Sequence, residues 1–337
     1  MKFTEERKRS IIQYILLKIS ENTDRLSYHV SEALGISSST VYNYLGDLLK
    51  NGVIVKDANN SYSLKNNRTV YTLSKADGDK FGEEYIYNKY ILPIIADLPV
   101  NVKSIWDYSF GEMINNAIEH SECKNIWLIV ENNILKTDAY IMDDGIGVFK
   151  KIKEHFDYLT LDDAVVELSK GKLTTDSEHH SGEGVFFTSR IMDDFMIYSD
   201  HKVFTFNKYQ ESLIANIKKE YSFSTCVYMS LSNNSKKNIA DVFNEFTNVD
   251  NGFVKTLISL KNIFDSAPVS RSQAKRICNR LEQFKEVEID FDGIEFVGQG
   301  FAHELFYVFA NAHPDIKLIP LNMNYNVTMM YNHVATK

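Results

Sequence analysis

AYIMDDGIGVF, residues 139–149, is the stretch on which the reading of this chain turns. Ala139 to Met142 form a short apolar run of the kind that fills a buried strand. The run ends in a carboxylate, Asp143, followed by Gly145 and Gly147. An ionised carboxylate only accepts hydrogen bonds, so Asp143 at a strand end suits the exocyclic amine of adenine. The glycines lack a Cβ and let the backbone come close to a ligand. A D-x-G-x-G is also a common turn, and the residues on either side decide between the two.

Upstream lies FGEMINNAIEHS, residues 110–121, with Glu112 and Asn116 four apart. On a helix those positions share one face. The Asn116 side-chain oxygen suits Mg2+, a hard ion that also takes phosphate oxygens. Glu112 is placed to orient or deprotonate a nucleophile. Downstream lies HSGEGVFFTSRIMD, residues 180–193, where Gly182 and Gly184 precede an apolar helical run. Free N–H groups at a helix start suit phosphate oxygens. Glu112 and Asp143 are 31 residues apart, and Asp143 and Gly182 are 39 apart. The first gap has room for a strand pair and the second for a lid.

In this order and spacing the three motifs resemble the N, G1 and G2 boxes of the GHKL superfamily, over about residues 80–231. The resemblance implies an α/β sandwich, a mixed and mostly antiparallel sheet with helices on one face, and Mg-ATP held beneath a mobile lid. It implies Asn116 as the Mg2+ ligand and Asp143 as the adenine-reading carboxylate. Gly145, Gly147, Gly182 and Gly184 are the glycines of close backbone approach. Glu112 with Asn116 and His120 makes E-x-x-x-N-A-x-x-H, which is most similar to the anti-sigma serine kinases and unlike sensor histidine kinases. The lid would span roughly residues 148–181. In its polar second half Lys172 is expected to pair with the γ-phosphate, and Thr174 and Thr175 to donate to phosphate. His179 and His180, adjacent and without a third ligand, read as solvated residues rather than a metal site.

The first 75 residues carry a different pattern. EERKRSIIQYILLKIS, residues 5–20, has a helical apolar stripe, and residues 26–34 read as a second helix. Ser37 to Thr40 offer N-caps for a third helix reaching about Lys50, where Gly52 stops it. VIVKDANNSYSL, residues 53–64, alternates like a hairpin with its turn at Asn59-Asn60. GISSSTVYNYLGDLLKNGVI, residues 35–54, resembles a winged helix-turn-helix. By that resemblance Ser38, Ser39, Thr40, Tyr42 and Asn43 face bases or phosphates, and Lys56 in the wing faces the backbone. Residues 1–75 hold 11 Lys/Arg against 7 Asp/Glu, on a chain of net charge −8. The third helix itself carries only Lys50, which thins the electrostatic drive for DNA. A protein-contacting role for the same unit stays open.

Beyond residue 236 strands and helices alternate: strands at 253–260, 287–291 and 316–320, helices at 271–284, 300–312 and 324–333. VEIDFDGIEFVGQGFAHELF, residues 287–306, resembles STAS-like domains of the group fused behind GHKL modules. Where STAS antagonists carry a phosphorylatable serine, this chain has Val297-Gly298-Gln299-Gly300, with no hydroxyl. That departure argues against self-phosphorylation. His303 and Glu304 read as a surface pair.

The expected fold is therefore α/β (α+β) in three parts: 1–75 winged helix, 80–231 GHKL sandwich, 236–337 small STAS-like α/β domain. Three dispersed cysteines fit a reducing compartment without structural zinc. No run of apolar residues is long enough to span a membrane, and a cytoplasmic location is expected. The function expected is a Mg-ATP-binding or hydrolysing regulator, whose nucleotide state controls DNA or a protein partner held through the STAS-like domain. A serine/threonine kinase acting on a partner is the alternative. A homodimer would strengthen weak DNA contacts.

Overall fold

The computed structural model describes residues 3–173, 182–207, 211–248, 252–264 and 266–335. Three helices open the chain: α1 (Glu5–Ser20), α2 (Leu26–Leu34) and α3 (Ser38–Lys50). Of the four candidate caps it is Ser37 whose side chain accepts from Thr40 N at 3.2 Å. Gly35 ends α2 at φ +62°, a conformation that favours glycine. A hairpin follows, β1 (Ile54–Lys56) with β2 (Tyr62–Leu64), antiparallel. Asp57 closes its turn by accepting from Asn59 N and Ser61 N, both at 2.8 Å. Ile11, Ile15, Ile19, Val30, Val41, Leu45 and Ile54 form the core of this unit.

The next strand, β3 (Asn67–Ser74), leaves that unit. It pairs antiparallel along its whole length with β4 (Asn125–Asn132). The first unit therefore closes near residue 65, not 75. Sequence alternation cannot tell which sheet a strand joins, because either neighbour satisfies its hydrogen bonds.

Short helices α4 (Glu83–Ile86) and α5 (Leu92–Ile95) lead into α6 (Val100–Asn115). After β4 come β5 (Lys136–Asp143), α7 (Val148–His155), α8 (Leu161–Lys170), α9 (Gly184–Ile191), β6 (Asp194–Ser199), β7 (Lys202–Thr205), α10 (Glu211–Glu220) and β8 (Thr225–Ser232). The six strands run in the order β3-β4-β5-β8-β6-β7. Every pairing is antiparallel, so the sheet is not mixed. The helices between β5 and β6 return the chain in the direction of β5 but leave a gap one strand wide. β8 fills that gap, antiparallel to both neighbours.

One sheet face, with Leu128, Val130, Ile141, Val227 and Met229, packs on Phe110, Met113, Phe149, Ile152 and Leu168 of the helices. The other face presents Ile129, Tyr140, Met142, Tyr198 and Tyr228, and α10 covers it with Ile214 and Ile217. Helices on one face alone, as the resemblance implies, understate this burial. Cover on both faces is why residues 139–142 are uniformly apolar rather than alternating.

The C-terminal part holds α11 (Ile239–Phe246), β9 (Lys255–Ser259), α12 (Arg271–Cys278), β10 (Glu286–Asp290), α13 (Gln299–His303), α14 (Ala310–Ala312), β11 (Lys317–Leu321) and α15 (Tyr325–Ala335). Residues 304–309 join α13 to α14 as a wider, π-type turn. The sheet is parallel, in the order β11-β10-β9. One correction concerns the helix expected over 271–284. It stops at Cys278, and Arg280 sits at φ +56° before a short 3-10 turn at 281–283. The helix end is held there because the Asn279 carbonyl accepts from a lysine of the central unit, Lys170.

Among the described residues, no helix is long and apolar enough to cross a membrane.

Candidate functional site

The end of β5, the C-terminal end of α6 and the start of α9 enclose a cavity of about 290 Å³, near the lower bound of small-molecule sites. Glu112, Asn116, Asp143, Gly147, Gly182 and Gly184 all line it. Three stretches that are remote in sequence thus meet at one place.

Each polar residue has a local cause for its position. Asn116 begins a π-type turn, residues 116–120, that continues α6. Such turns re-aim side chains and are frequent at functional sites. Asp143 ends β5 opposite Thr225 of β8. It is 4% exposed, and its Oδ1 accepts from Gly145 N at 2.9 Å. Burial pushes the Asp143 carboxyl up to about 7, with the Gly145 N–H acting in the opposite sense. Its neighbour Asp144 does structural work, accepting from Lys124 N at 2.8 Å and Asn125 N at 2.9 Å. Those bonds hold its carboxyl below the usual range despite the cost of burial. Burial also raises the Tyr108 hydroxyl, as do the nearby carboxylates Glu112 and Glu183.

The glycines divide by what they approach. A Cβ on Gly184 would fall on the Glu112 carboxylate. Gly147, at φ +88°, would crowd the Asp200 carboxylate. Gly182, at φ +70°, lies against the backbone of Leu173, whose N–H donates to Gly182 O at 3.1 Å. Gly145 is packed on the Ser121 carbonyl and is not among the cavity-lining residues. Its missing Cβ serves helix-to-strand packing.

Lys172 departs from its expected position. Its Nζ donates to the Gln283 carbonyl at 2.9 Å and lies over the Phe253 and Phe284 rings, at 5.6 and 5.0 Å. It is directed to the C-terminal part and does not line the cavity. Thr174 and Thr175, with His179 and His180, lie outside the described residues.

The sequence reading missed Lys151, Ser121 and Thr225 and named His120 only as the end of the E-x-x-x-N-A-x-x-H pattern; all four also line the cavity. Lys151 Nζ donates to the His120 carbonyl at 2.6 Å. It follows Gly147 by one helical turn, a spacing that could have flagged it. Thr225 Oγ1 accepts from Val148 N at 3.3 Å. Only strand register brings it beside Asp143, so no local signal marks it.

In the N-terminal unit Ser38, Ser39, Tyr42, Asn43 and Lys56 are exposed and Thr40 is half-buried. Tyr42 accepts from Ser27 Oγ at 3.2 Å, and Lys56 Nζ lies 5.4 Å from the Tyr62 ring centre. His303 and Glu304 sit on the helix after β10; the His303 ring stacks on Tyr307.

No curated protein matches the chain. Residues 273–328, from α12 through β10, β11 and the first turn of α15, match the family model of a STAS-like domain of unknown function (DUF4325), and the C-terminal part of this chain is accordingly STAS-like.

Proposed function

We propose that the central unit is a GHKL-type nucleotide-binding domain that holds Mg-ATP, and that its nucleotide state regulates partners of the flanking units. The convergence of Glu112, Asn116, Asp143 and the Gly182/Gly184 pair on one cavity carries this reading. The residues suit the ligand. Asp143 is a buried acceptor at an apolar wall, as an adenine amine requires. Gly182 and Gly184 line the cavity at positions where a Cβ would meet the Leu173 backbone and the Glu112 carboxylate. Asn116 offers one neutral oxygen, and a hard cation there would take its other ligands from phosphate and water. Bound Mg-ATP would supply an activated phosphoryl group. Glu112 would accept a proton from the attacking hydroxyl or water, and the Gly182 and Gly184 amides would orient phosphate oxygens.

Titration of the full chain with Mg-ATP tests this, beside phosphate release from labelled ATP with and without DNA. Glu112→Ala is expected to keep binding and lose turnover by about 10²-fold or more; lost binding would contradict the base assignment. Glu112 also favours a second reading, a serine/threonine kinase acting on a partner, because the same base serves a protein hydroxyl. A labelled protein in lysate supports that reading, and phosphate release alone speaks against it.

For the N-terminal unit, three helices and a hairpin with exposed hydroxyls at the head of α3 support a winged-helix DNA or protein contact. A salt-sensitive gel shift with the full chain distinguishes the two.

A further inference from the structure

The STAS-like domain is built onto the rim of the cavity. Lys170, the last residue of α8, is 1% exposed, and its Nζ donates to Glu167 at 2.9 Å, Asn279 O at 2.5 Å and Arg276 O at 3.3 Å. Arg280 adds an ion pair to Glu167 at 3.2 Å, and Arg276 pairs with Asp163 at 2.6 Å. Thr256 Oγ1 donates to Lys170 O at 2.7 Å. Beyond the cavity, Arg190 of α9 donates to Leu257 O at 2.7 Å. Phe186 and Phe187 of α9 belong to the core of the C-terminal part, against Phe246 and Phe253.

These anchors flank the cavity wall. Leu168 and Leu173 line it from the α8 side, Gly182, Gly184 and Val185 from the α9 side. Gly171, at φ +79°, would meet the Phe253 ring if it carried a Cβ. On either side of the wall a cation, buried Lys170 and half-buried Arg190, thus donates to backbone carbonyls of the C-terminal part. Lys170 has three such partners, whereas Arg190 Nε has no hydrogen-bond partner among the described residues, and removing a partner from a buried charge is costly. The N-terminal unit, by contrast, meets the far end of the sheet, through Leu135 and the Asn133–Asn66 bond. Residue 136 lies about 23 Å along β5 from Asp143 at strand rise.

We infer that the STAS-like domain is a positioning element of the nucleotide site, with Arg276 and Arg280 holding α8, and Leu257 O and the Phe253 ring holding α9, so that the Gly182–Gly184 cradle is set for phosphate. By reciprocity, phosphate at the cradle must alter the docking of the STAS-like domain. Among the described residues, the N-terminal unit has no comparable contact with the rim. This inference rests on the nucleotide-binding reading above.

The test uses the full chain, with AMP-PNP and ADP as Mg2+ complexes. Arg276→Ala/Arg280→Ala is expected to lower AMP-PNP affinity about 5- to 150-fold, and ADP affinity by a smaller factor, because the cradle rather than the adenine end is displaced. Arg276→Lys/Arg280→Lys should recover most of the loss. In wild type, AMP-PNP should slow amide hydrogen exchange at 256–259 and 276–283 by about threefold or more, on the scale of the same coupling. Equal losses for the two nucleotides, no loss, or unchanged exchange while AMP-PNP binds would overturn the positioning role alone. A wild-type chain that binds neither nucleotide would overturn this inference together with the reading beneath it. Should the double variant not fold, the wild-type exchange measurement decides.

Discussion

Asp143 carries two opposed demands. A nearly buried carboxylate costs free energy when ionised, and that cost is what raises its pKa to about 7. In the unfolded chain the group titrates near 4. Between those values the folded state binds more protons, so stability falls as pH rises from about 4 to about 7 and stays reduced above. Asp143→Asn is therefore expected to stabilise the ligand-free chain by about 1–3 kcal/mol at pH 8 and by much less at pH 5. Urea denaturation at the two pH values measures this. The same substitution should weaken ATP binding by about tenfold or more, since a buried hydrogen bond to a charged group is worth about 1.5–3 kcal/mol. Gly184 gives a second residue-scale outcome. In Gly184→Ala the new methyl meets the Glu112 carboxylate, and about 1–3 kcal/mol of stability should be lost through overpacking. Thermal melts of this variant beside Gly46→Ala check it.

Gly46 belongs to the scale of elements. It sits exposed in the middle of α3, and a methyl group added there would have no neighbour within 4 Å, so Gly46→Ala should stabilise the chain by about 0.5–1 kcal/mol. The Thr160 capping box opens α8, with Thr160 Oγ1 accepting from Asp163 N at 3.3 Å and Asp163 Oδ2 accepting from Thr160 N at 3.0 Å. Thr160→Ala should cost about 1 kcal/mol, read from a shift in the unfolding midpoint. It also loosens Asp163, the partner of Arg276. Elements of this kind were legible locally. The helices at 5–20 and 26–34, the turn at Asn59-Asn60 and the strand ending in Asp143 follow from periodicity, caps and turn residues within one or two turns of chain. Two ends were not legible. β3 joined a sheet that sequence spacing does not name, and α12 ended early because a lysine more than a hundred residues away donates to Asn279 O.

For the whole molecule, the cores suggest how it unfolds. The central and C-terminal parts share the Phe186/Phe187 cluster and the buried Lys170 network. The N-terminal unit has its own core, which Leu135 joins from the central sheet. Calorimetry is expected to show residues from β3 onward melting as one transition and the N-terminal unit as a separate one. Lys170→Met should lower the larger transition by about 3 kcal/mol, because Glu167 is left buried with Arg280 as its remaining cation. A single transition that Lys170→Met leaves in place would contradict this division.

The sequence by itself determined the α+β class, the STAS-like character of the C-terminal part and the helices, strands and turns whose signals are local. It also singled out Glu112, Asn116, Asp143, Gly147, Gly182 and Gly184, because their chemistry is carried by residue type and short spacing. Tertiary structure alone decided that these residues share one cavity, that Lys151 and Thr225 join them, and that Gly145 packs on Ser121. It also turned Lys172 from the cavity to the Gln283 carbonyl. The reason is physical: a side chain's partner is set by strand register and by which domain docks beside it, and neither is encoded within the few residues around it.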